Sequence, residues 1–380
     1  MTHRNDIDLL LDLLCLGKEL PPGGKDEIAS RWRSLSSAPD LLRLIEYEGA
    51  ELWLYRRLRA LGIESAPAFD QALRESAHRD TIRTLRIDDA AAAVLTAFRD
   101  AGVPCVLIKG QARRAAVSIY PWADARTSSD VDLLLPADRA REAWDLLMSS
   151  GYTHASEPTQ SWVELQHLPP VWNERRVAVE IHTSSSPHVT ASEAWARATD
   201  RADQLNWMGI PVTVPSATEL LWHGLSHALF NGHAAARLRY LLVGAAVLAS
   251  KREIDWDCIR RRIESGEVQD FDTGHIVSPD VQYGWLAAAA ALAGAQLPQP
   301  LSVHRAIPVG TLLQWRRMIL GTAIRRAARE RLLEEAALIE LHLPLSPSPS
   351  HQVMWKRVRH TVVSVAARLC YRGWRSMAST

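Results

Sequence analysis

Apolar positions recur at helical spacing through roughly the first ninety residues. Ile7, Leu10, Leu11 and Leu14 predict a helix over 6–16. Leu41, Leu44, Ile45, Leu52 and Leu58 predict a second helix, capped by Asp40 and stopped at Leu61-Gly62. Pro21-Pro22-Gly23-Gly24-Lys25 breaks the chain between them. Its Gly-Gly-Lys lacks the spacing of a phosphate-binding loop and follows no strand. From residue 89 the texture changes. An Ala-rich helix over 89–101 ends at Gly102, and the β-branched run 103–108 reads as a strand. Lys109-Gly110 then leads into a helix over 111–118. A second strand, 131–135, stops at Pro136, and a helix over 137–150 closes at Gly151. Residues 171–182 read as two strands around the turn Asn173-Glu174-Arg175. After Pro215 the period returns to helical over 216–230, 237–250, 255–264, 282–295 and a long amphipathic 311–341, followed by the linker-like tract 345–350.

Helices alternating with strands between two helical stretches predict an α+β protein with a small mixed sheet. The expected organisation is a helical region over 1–89, a core over 90–212, a helical domain over 213–345, and a linker with a basic helix over 346–380. The chain has 380 residues, 47% hydrophobic and 23% charged, a globular balance rather than a disordered one. Forty-four basic residues against 43 acidic ones leave a formal charge of +1, so no global field draws the protein to nucleic acid or an anionic membrane. The four cysteines, at 15, 105, 258 and 370, show no metal or disulfide spacing. The apolar run 285–297 falls short of the roughly 20 residues of a spanning helix. Acids stand near the N-terminus where a signal peptide carries bases. A cytoplasmic protein is expected.

The chemistry concentrates in the predicted core. In Ser129-Asp130-Val131-Asp132, a strand places Asp130 and Asp132 on one face and Val131 and Leu133 on the other. Two neighbouring carboxylates repel and are costly to desolvate, and a divalent cation relieves both penalties. Two solvated acids at a strand end satisfy the same pattern, so a second feature matters. Val177, Val179 and Ile181 alternate with Ala178, Glu180 and His182. If that strand lies beside 131–135, Glu180 joins the aspartates in a two-metal site, with oxygen ligands that suit Mg²⁺ or Mn²⁺. The alternative is that Glu180 pairs with Arg126, Arg175 or Arg176. Upstream, a strand, Lys109-Gly110 and a helix form a turn whose Gly lets phosphate approach the backbone and whose Lys supplies a point charge.

In order, Ile108-Lys109-Gly110, Arg126, Ser129-Asp130-Val131-Asp132, Gly151-Tyr152 and Val179-Glu180-Ile181-His182 resemble a family of uncharacterised bacterial nucleotidyltransferases within the polymerase-β-type superfamily. The resemblance is clear over 90–190 and looser in the flanking helices, where it takes in Tyr47-Glu48-Gly49-Ala50. The broad superfamily has Gly-Ser or Gly-Gly where this chain has Lys109-Gly110. The resemblance implies Mg²⁺-dependent transfer of a nucleoside monophosphate from a triphosphate such as ATP to a hydroxyl acceptor, with release of pyrophosphate. In that scheme Asp130, Asp132 and Glu180 are catalytic and hold two Mg²⁺, with Mn²⁺ the alternative. Lys109, Gly110, Arg126 and Ser129 bind the nucleotide. Glu180 helps deprotonate the acceptor; His182, on the same face, is read as a structural histidine at the strand end, with orienting Glu180 the alternative. A catalytically silent nucleotide-binding protein and an RNA-directed transferase are the competing functions. The neutral charge and the lack of a recognisable RNA-binding module weigh against the latter, and no DNA partner is expected. Neither the acceptor nor the choice of base is readable in the motifs.

Two further features carry less. His223 and His227 sit one helical turn apart with His233 beyond, but Gly224 stands where a zinc protease has Glu, so packing or substrate contact is the expectation. The tail over 351–380 is basic, with Lys356, Arg357, Arg359, Arg368, Arg372 and Arg375. A helix docked on its own protein is favoured there over a membrane-surface or partner-binding helix.

Overall fold

The computed structural model describes residues 2–16, 25–116, 128–155, 167–184, 189–230, 237–269, 275–304, 306–307 and 309–320. Arg126, His233, the linker 345–350 and the basic tail lie outside these residues. The described residues form thirteen α-helices around a five-stranded mixed sheet, with a separate two-stranded ribbon. This is an α+β architecture.

Five helices come first: α1 (Thr2–Leu14), α2 (Lys25–Leu35), α3 (Pro39–Glu48), α4 (Glu51–Leu61) and α5 (Pro67–Asp100). The single helix expected from Asp40 to Leu61 is in fact two. Gly49 adopts a left-handed φ of 63° and ends α3, its amide and that of Ala50 returning to Glu46 and Ile45 carbonyls. The helical period survives across this break, which is why periodicity alone missed it. Nor does Asp40 cap α3: Ala38 is the N-cap, Pro39 opens the helix, and Asp40 falls in its first turn. Helix α5 starts 22 residues before the expected 89–101 segment, at Pro67, and no Gly or Pro interrupts it before Gly102. Its buried face, with Phe69, Leu73, Ala77, Ile87, Val94 and Phe98, spans roughly 50 Å at 1.5 Å per residue.

The sheet runs in the order β1-β2-β5-β4-β3, from β1 (Val106–Leu107), β2 (Asp130–Leu134), β3 (Thr153–His154), β4 (Val171–Trp172) and β5 (Ala178–His182). Only β2 and β5 pair in parallel; the other neighbours are antiparallel. Helix α6 (Lys109–Ala115) follows β1, and α7 (Ala137–Ser149) follows β2. Val131, Leu133, Val179 and Ile181 are at most 1% exposed and fill one face of the sheet, against α5 and α7. The same hydrophobic core continues without interruption into the helices, through Leu10, Trp53, Leu225, Leu242, Trp285 and Leu313.

Beyond the sheet lie α8 (Ala191–Thr199) and a ribbon of β6 (Asp203–Trp207) and β7 (Ile210–Val214). Ile210, Val212 and Val214 of β7 are buried and alternate with the more exposed Pro211 and Thr213. The helical half follows as α9 (Ala217–Phe230), α10 (Leu238–Ala249), α11 (Trp256–Glu264), α12 (Pro279–Ala293) and α13 (Val309–Leu320). Helices α10 and α12 pack closely at Gly244, where an added Cβ would come within 2.5 Å of the Trp285 ring. No helix among the described residues is long and apolar enough to cross a membrane.

The N- and C-terminal helices are clasped by a buried ion pair. Glu48 (0% exposed) receives Arg316 Nη1 at 2.9 Å on one oxygen and the Leu238 amide at 2.8 Å on the other. One carboxylate thus ties α3 to α13 and to the start of α10. Such a group is tolerated in a core only because both oxygens are satisfied.

Candidate active site

The period of two on β2 and β5 places Asp132 directly opposite Glu180, and Leu134 opposite His182. Partners in a parallel pair share a face, so Asp132 and Glu180 meet on the side away from the core formed by Val131 and Val179. His182 Nε2 lies 2.9 Å from Asp132 Oδ1 and 3.3 Å from Glu180 Oε2. Two flanking carboxylates favour the tautomer with its proton on Nε2. Among the described residues, Asp132, Glu180 and His182 offer oxygen and nitrogen atoms all within 4.8 Å of one another. Asp130 stands beside this cluster rather than within it, with Ser128 Oγ donating to its Oδ1 at 3.3 Å. The buried Gln111 side chain donates to the Asp130 carbonyl at 2.7 Å and fixes the start of the strand.

Lys109 enters the cluster from the turn after β1. Its Nζ lies 2.5 Å from Asp132 Oδ1, 3.6 Å from Glu180 Oε2 and 3.2 Å from His182 Nε2. Its backbone is left-handed, with φ of 53°, a region that few non-glycine residues occupy. Gly110 follows because a side chain would not fit: an added Cβ would sit 2.6 Å from Ser128 Oγ.

The electrostatics separate the three acids. Burial opposes the Asp132 charge, yet Lys109 and His182 outweigh it and hold this carboxyl well below the usual range. The hydrogen bond from His182 lowers Glu180 against the cost of burial. Asp130 goes the other way. Burial, then the like charges of Asp132 and Glu180, push it up to about 6. Burial also works against the Lys109 ammonium, but the charges of Asp132 and Glu180 prevail and raise its pKa.

Lys109, Asp130 and Asp132 from this group lie on one wall of a cleft of about 400 Å³. Lys109, Gly110, Ser128, Ser129, Asp130 and Asp132 come from the sheet region. Gly49, Glu51, Trp53, Asp80 and Arg83 come from the N-terminal helices, and His227, Arg239 and Tyr240 from the C-terminal ones. His227 stacks on His223 at 5.7 Å between ring centroids. Burial first, then His227, Arg113 and Lys109, hold the His223 pKa well below normal. The His-x-x-x-His pair is thus a wall of the cleft reaching back toward Lys109. Glu51 faces the cleft with its carboxyl pushed up to about 7 by burial and, secondarily, by Asp80 and Glu46. Glu51, Asp80 and Arg83 were not legible as site residues, because an acid or base on a helix reads as a solvated face. A second cavity, about 470 Å³, opens between α8 and α11; three of its four lining arginines, Arg197, Arg252 and Arg262, are engaged by Glu267, Asp203 and Glu219.

The structure therefore brings together Lys109, Asp132, Glu180 and His182, with Gly110, Ser129 and Asp130 lining the same cleft. Arg175 does not pair with Glu180; it meets Asp89 at 2.6 Å. The cluster also fits a divalent cation. Asp132 Oδ2 is buried without a hydrogen-bond partner among the described residues, and a cationic nitrogen already stands against the other Asp132 oxygen. Two carboxylates and an imidazole form a mixed oxygen and nitrogen donor set.

The chain is thus an α+β protein whose core carries paired acids on adjacent strands, with helices on both sides of the cleft they line. The sequence matches the uncharacterised nucleotidyltransferase family over residues 35–272, more than half the chain, and the protein belongs to that family. No curated protein and no solved structure matches the chain significantly.

Proposed function

We propose that the protein transfers a nucleoside monophosphate from a nucleoside triphosphate to a hydroxyl acceptor, with a divalent cation and with release of pyrophosphate. The observation that carries this reading is the convergence of Asp132, Glu180 and His182 on one point beside Asp130, in a cleft closed on its far side by helices. Asp132, Glu180 and His182 would hold the cation, which, when bound, neutralises phosphate charge and activates the acceptor oxygen. Gly110 and Ser129 leave room for the triphosphate along the floor, and Arg126 is the sequence's further candidate for phosphate contact. The far wall, with Glu51, Asp80, Arg83 and Tyr240, holds the acceptor.

Chemistry then needs a group to take the acceptor proton. Glu180 is not among the residues lining the cleft, whereas Asp130 is. Asp130 lines the cleft beside the cluster, so its carboxylate is the one placed to take that proton. The acceptor oxygen bonds to the α-phosphorus, its proton passes to an Asp130 oxygen, and the bond to the β-phosphate oxygen breaks. The test is incubation with each nucleoside triphosphate labelled at the α-phosphate, with Mg²⁺ or Mn²⁺ and a panel of sugars, peptides and small alcohols. Labelled product with equimolar pyrophosphate, lost in Asp132→Asn, is the expected result. Nucleotide binding without transfer to any acceptor would support the silent binding protein instead.

A further inference from the structure

The proposed reaction requires a divalent cation at a point where the protein has already put a cation of its own. The Lys109 ammonium touches each of the three groups that would bind the metal, at 2.5 Å from Asp132, 3.2 Å from His182 and 3.6 Å from Glu180. An ammonium and a metal ion cannot share that space, since Lys109 Nζ stands among the Asp132, Glu180 and His182 atoms that would surround the ion. A purely structural clasp would be expected to satisfy its carboxylate, but the buried Asp132 Oδ2 has no hydrogen-bond partner among the described residues. The lysine is also not locked in the core. Its side chain is 23% exposed, it lines the cleft, and it sits on a flexible four-carbon stem. Its backbone is left-handed, and the side chain reaches the cluster from there.

We propose that Lys109 is the resident counter-ion of the Asp132–Glu180–His182 cluster and competes directly with the divalent cation for it. Metal entry displaces the ammonium outward into the cleft, where the charge of a triphosphate would receive it. This inference rests on the metal-dependent reading above. It assigns Lys109 a second position, against the carboxylates, besides the phosphate contact read from the sequence. Metal binding by the protein alone is then held weak, because each ion must first expel the ammonium from its carboxylate partners.

The test is a Mn²⁺ titration of the full chain without nucleotide, followed by the loss of the free Mn²⁺ paramagnetic resonance signal, for the wild type, Lys109→Met and Asp132→Asn. Lys109→Gly, which suits the left-handed backbone, is read in place of Lys109→Met if the latter does not fold. Removing the ammonium should tighten Mn²⁺ binding at least tenfold, and Asp132→Asn should abolish it. Melting curves give an independent readout. In EDTA the Lys109 variant should melt several degrees below the wild type, and Mn²⁺ should raise its melting temperature more than it raises that of the wild type. Unchanged or weaker Mn²⁺ binding in the variant would overturn the competition while leaving the metal site standing. Absence of Mn²⁺ binding in the wild type and the variant alike would overturn the metal-dependent reading itself.

Discussion

Asp132 and Glu180 are register partners on neighbouring parallel strands, and one His182 nitrogen lies within 3.3 Å of a carboxylate oxygen from each. Asp130, two residues before Asp132 on the same strand, has no such support. The two aspartates of one motif therefore hold opposite electrostatic positions, and that difference is measurable.

Replacing them should move stability in opposite directions. The Asp132 charge is favourable in the folded state, so Asp132→Asn should destabilise by about 1–3 kcal/mol, within the usual range for losing a buried ionic partner from which the remaining cation can escape to solvent. The Asp130 carboxyl is raised from 3.8 to about 6. The folded state then binds the extra proton, so stability is full below pH 4 and falls as pH rises through 6. Asp130→Asn should remove that loss and stabilise by about 1–2 kcal/mol at pH 8, allowing for partial solvent screening. Urea denaturation in EDTA at pH 5 and pH 8 measures both, and a shift of the same sign for the two variants at pH 8 would contradict the assignment.

Glu51 makes the same argument away from the acidic cluster. Its carboxyl titrates near 7 in the folded protein against 4.5 in the unfolded chain. Protonation is coupled to folding between those values, so this group's contribution to stability declines as pH rises from about 4.5 to above 7. Glu51→Gln should flatten that decline and gain about 2 kcal/mol at pH 8. Thermal melts across pH 5–8 check it, and a pH dependence identical in the wild type and Glu51→Gln would count against the burial of this group.

The clasp between α3 and α13 predicts a large single-site effect. Glu48→Ala leaves Arg316 buried without its carboxylate and the Leu238 amide without its acceptor, at a cost of about 3–5 kcal/mol. Replacing both charged partners, as Glu48→Gln with Arg316→Met, should cost clearly less, because no lone charge stays behind. Denaturant midpoints of the single and double variants decide this by their non-additivity.

The turn at Gly110 offers a test with a built-in rescue. Gly110→Ala would press a methyl group against Ser128 Oγ, 2.6 Å away. Ser128 also hydrogen-bonds to Asp130, so the push is transmitted to the cleft. Nucleotide binding measured by calorimetry should weaken about tenfold in Gly110→Ala, a loss of about 1.4 kcal/mol, and recover in part when Ser128→Ala removes the obstructing oxygen. Equal weakening in the single and double variants would place the effect elsewhere.

Alternation along the chain was enough to put Asp130 and Asp132 on one face, Glu180 and His182 on another strand's matching face, and Val131, Val179 and Ile181 in the core. Those are consequences of a period of two, which is local. Breaks that keep the period were invisible: Gly49 splits a helix that reads as one, because the left-handed residue is a single-site event. The start of α5 at Pro67 was missed because its first turns, though buried at helical spacing, carry only two large apolar residues there, Phe69 and Leu73. Pairing and partner choice depended on tertiary structure. Only the parallel register of β2 and β5 sets Asp132 against Glu180, and only the turn after β1 brings the Lys109 ammonium onto the carboxylates. The far wall of the cleft, with Glu51, Asp80 and Tyr240, comes from helices about 50 to 110 residues from Asp132 in the chain, and no local pattern encodes that meeting. The sequence by itself determined which residues could carry the chemistry, through side-chain type and periodicity. The tertiary structure decided which of them share a face, a charge balance and a common point, because those depend on long-range packing that free energy settles for the chain as a whole.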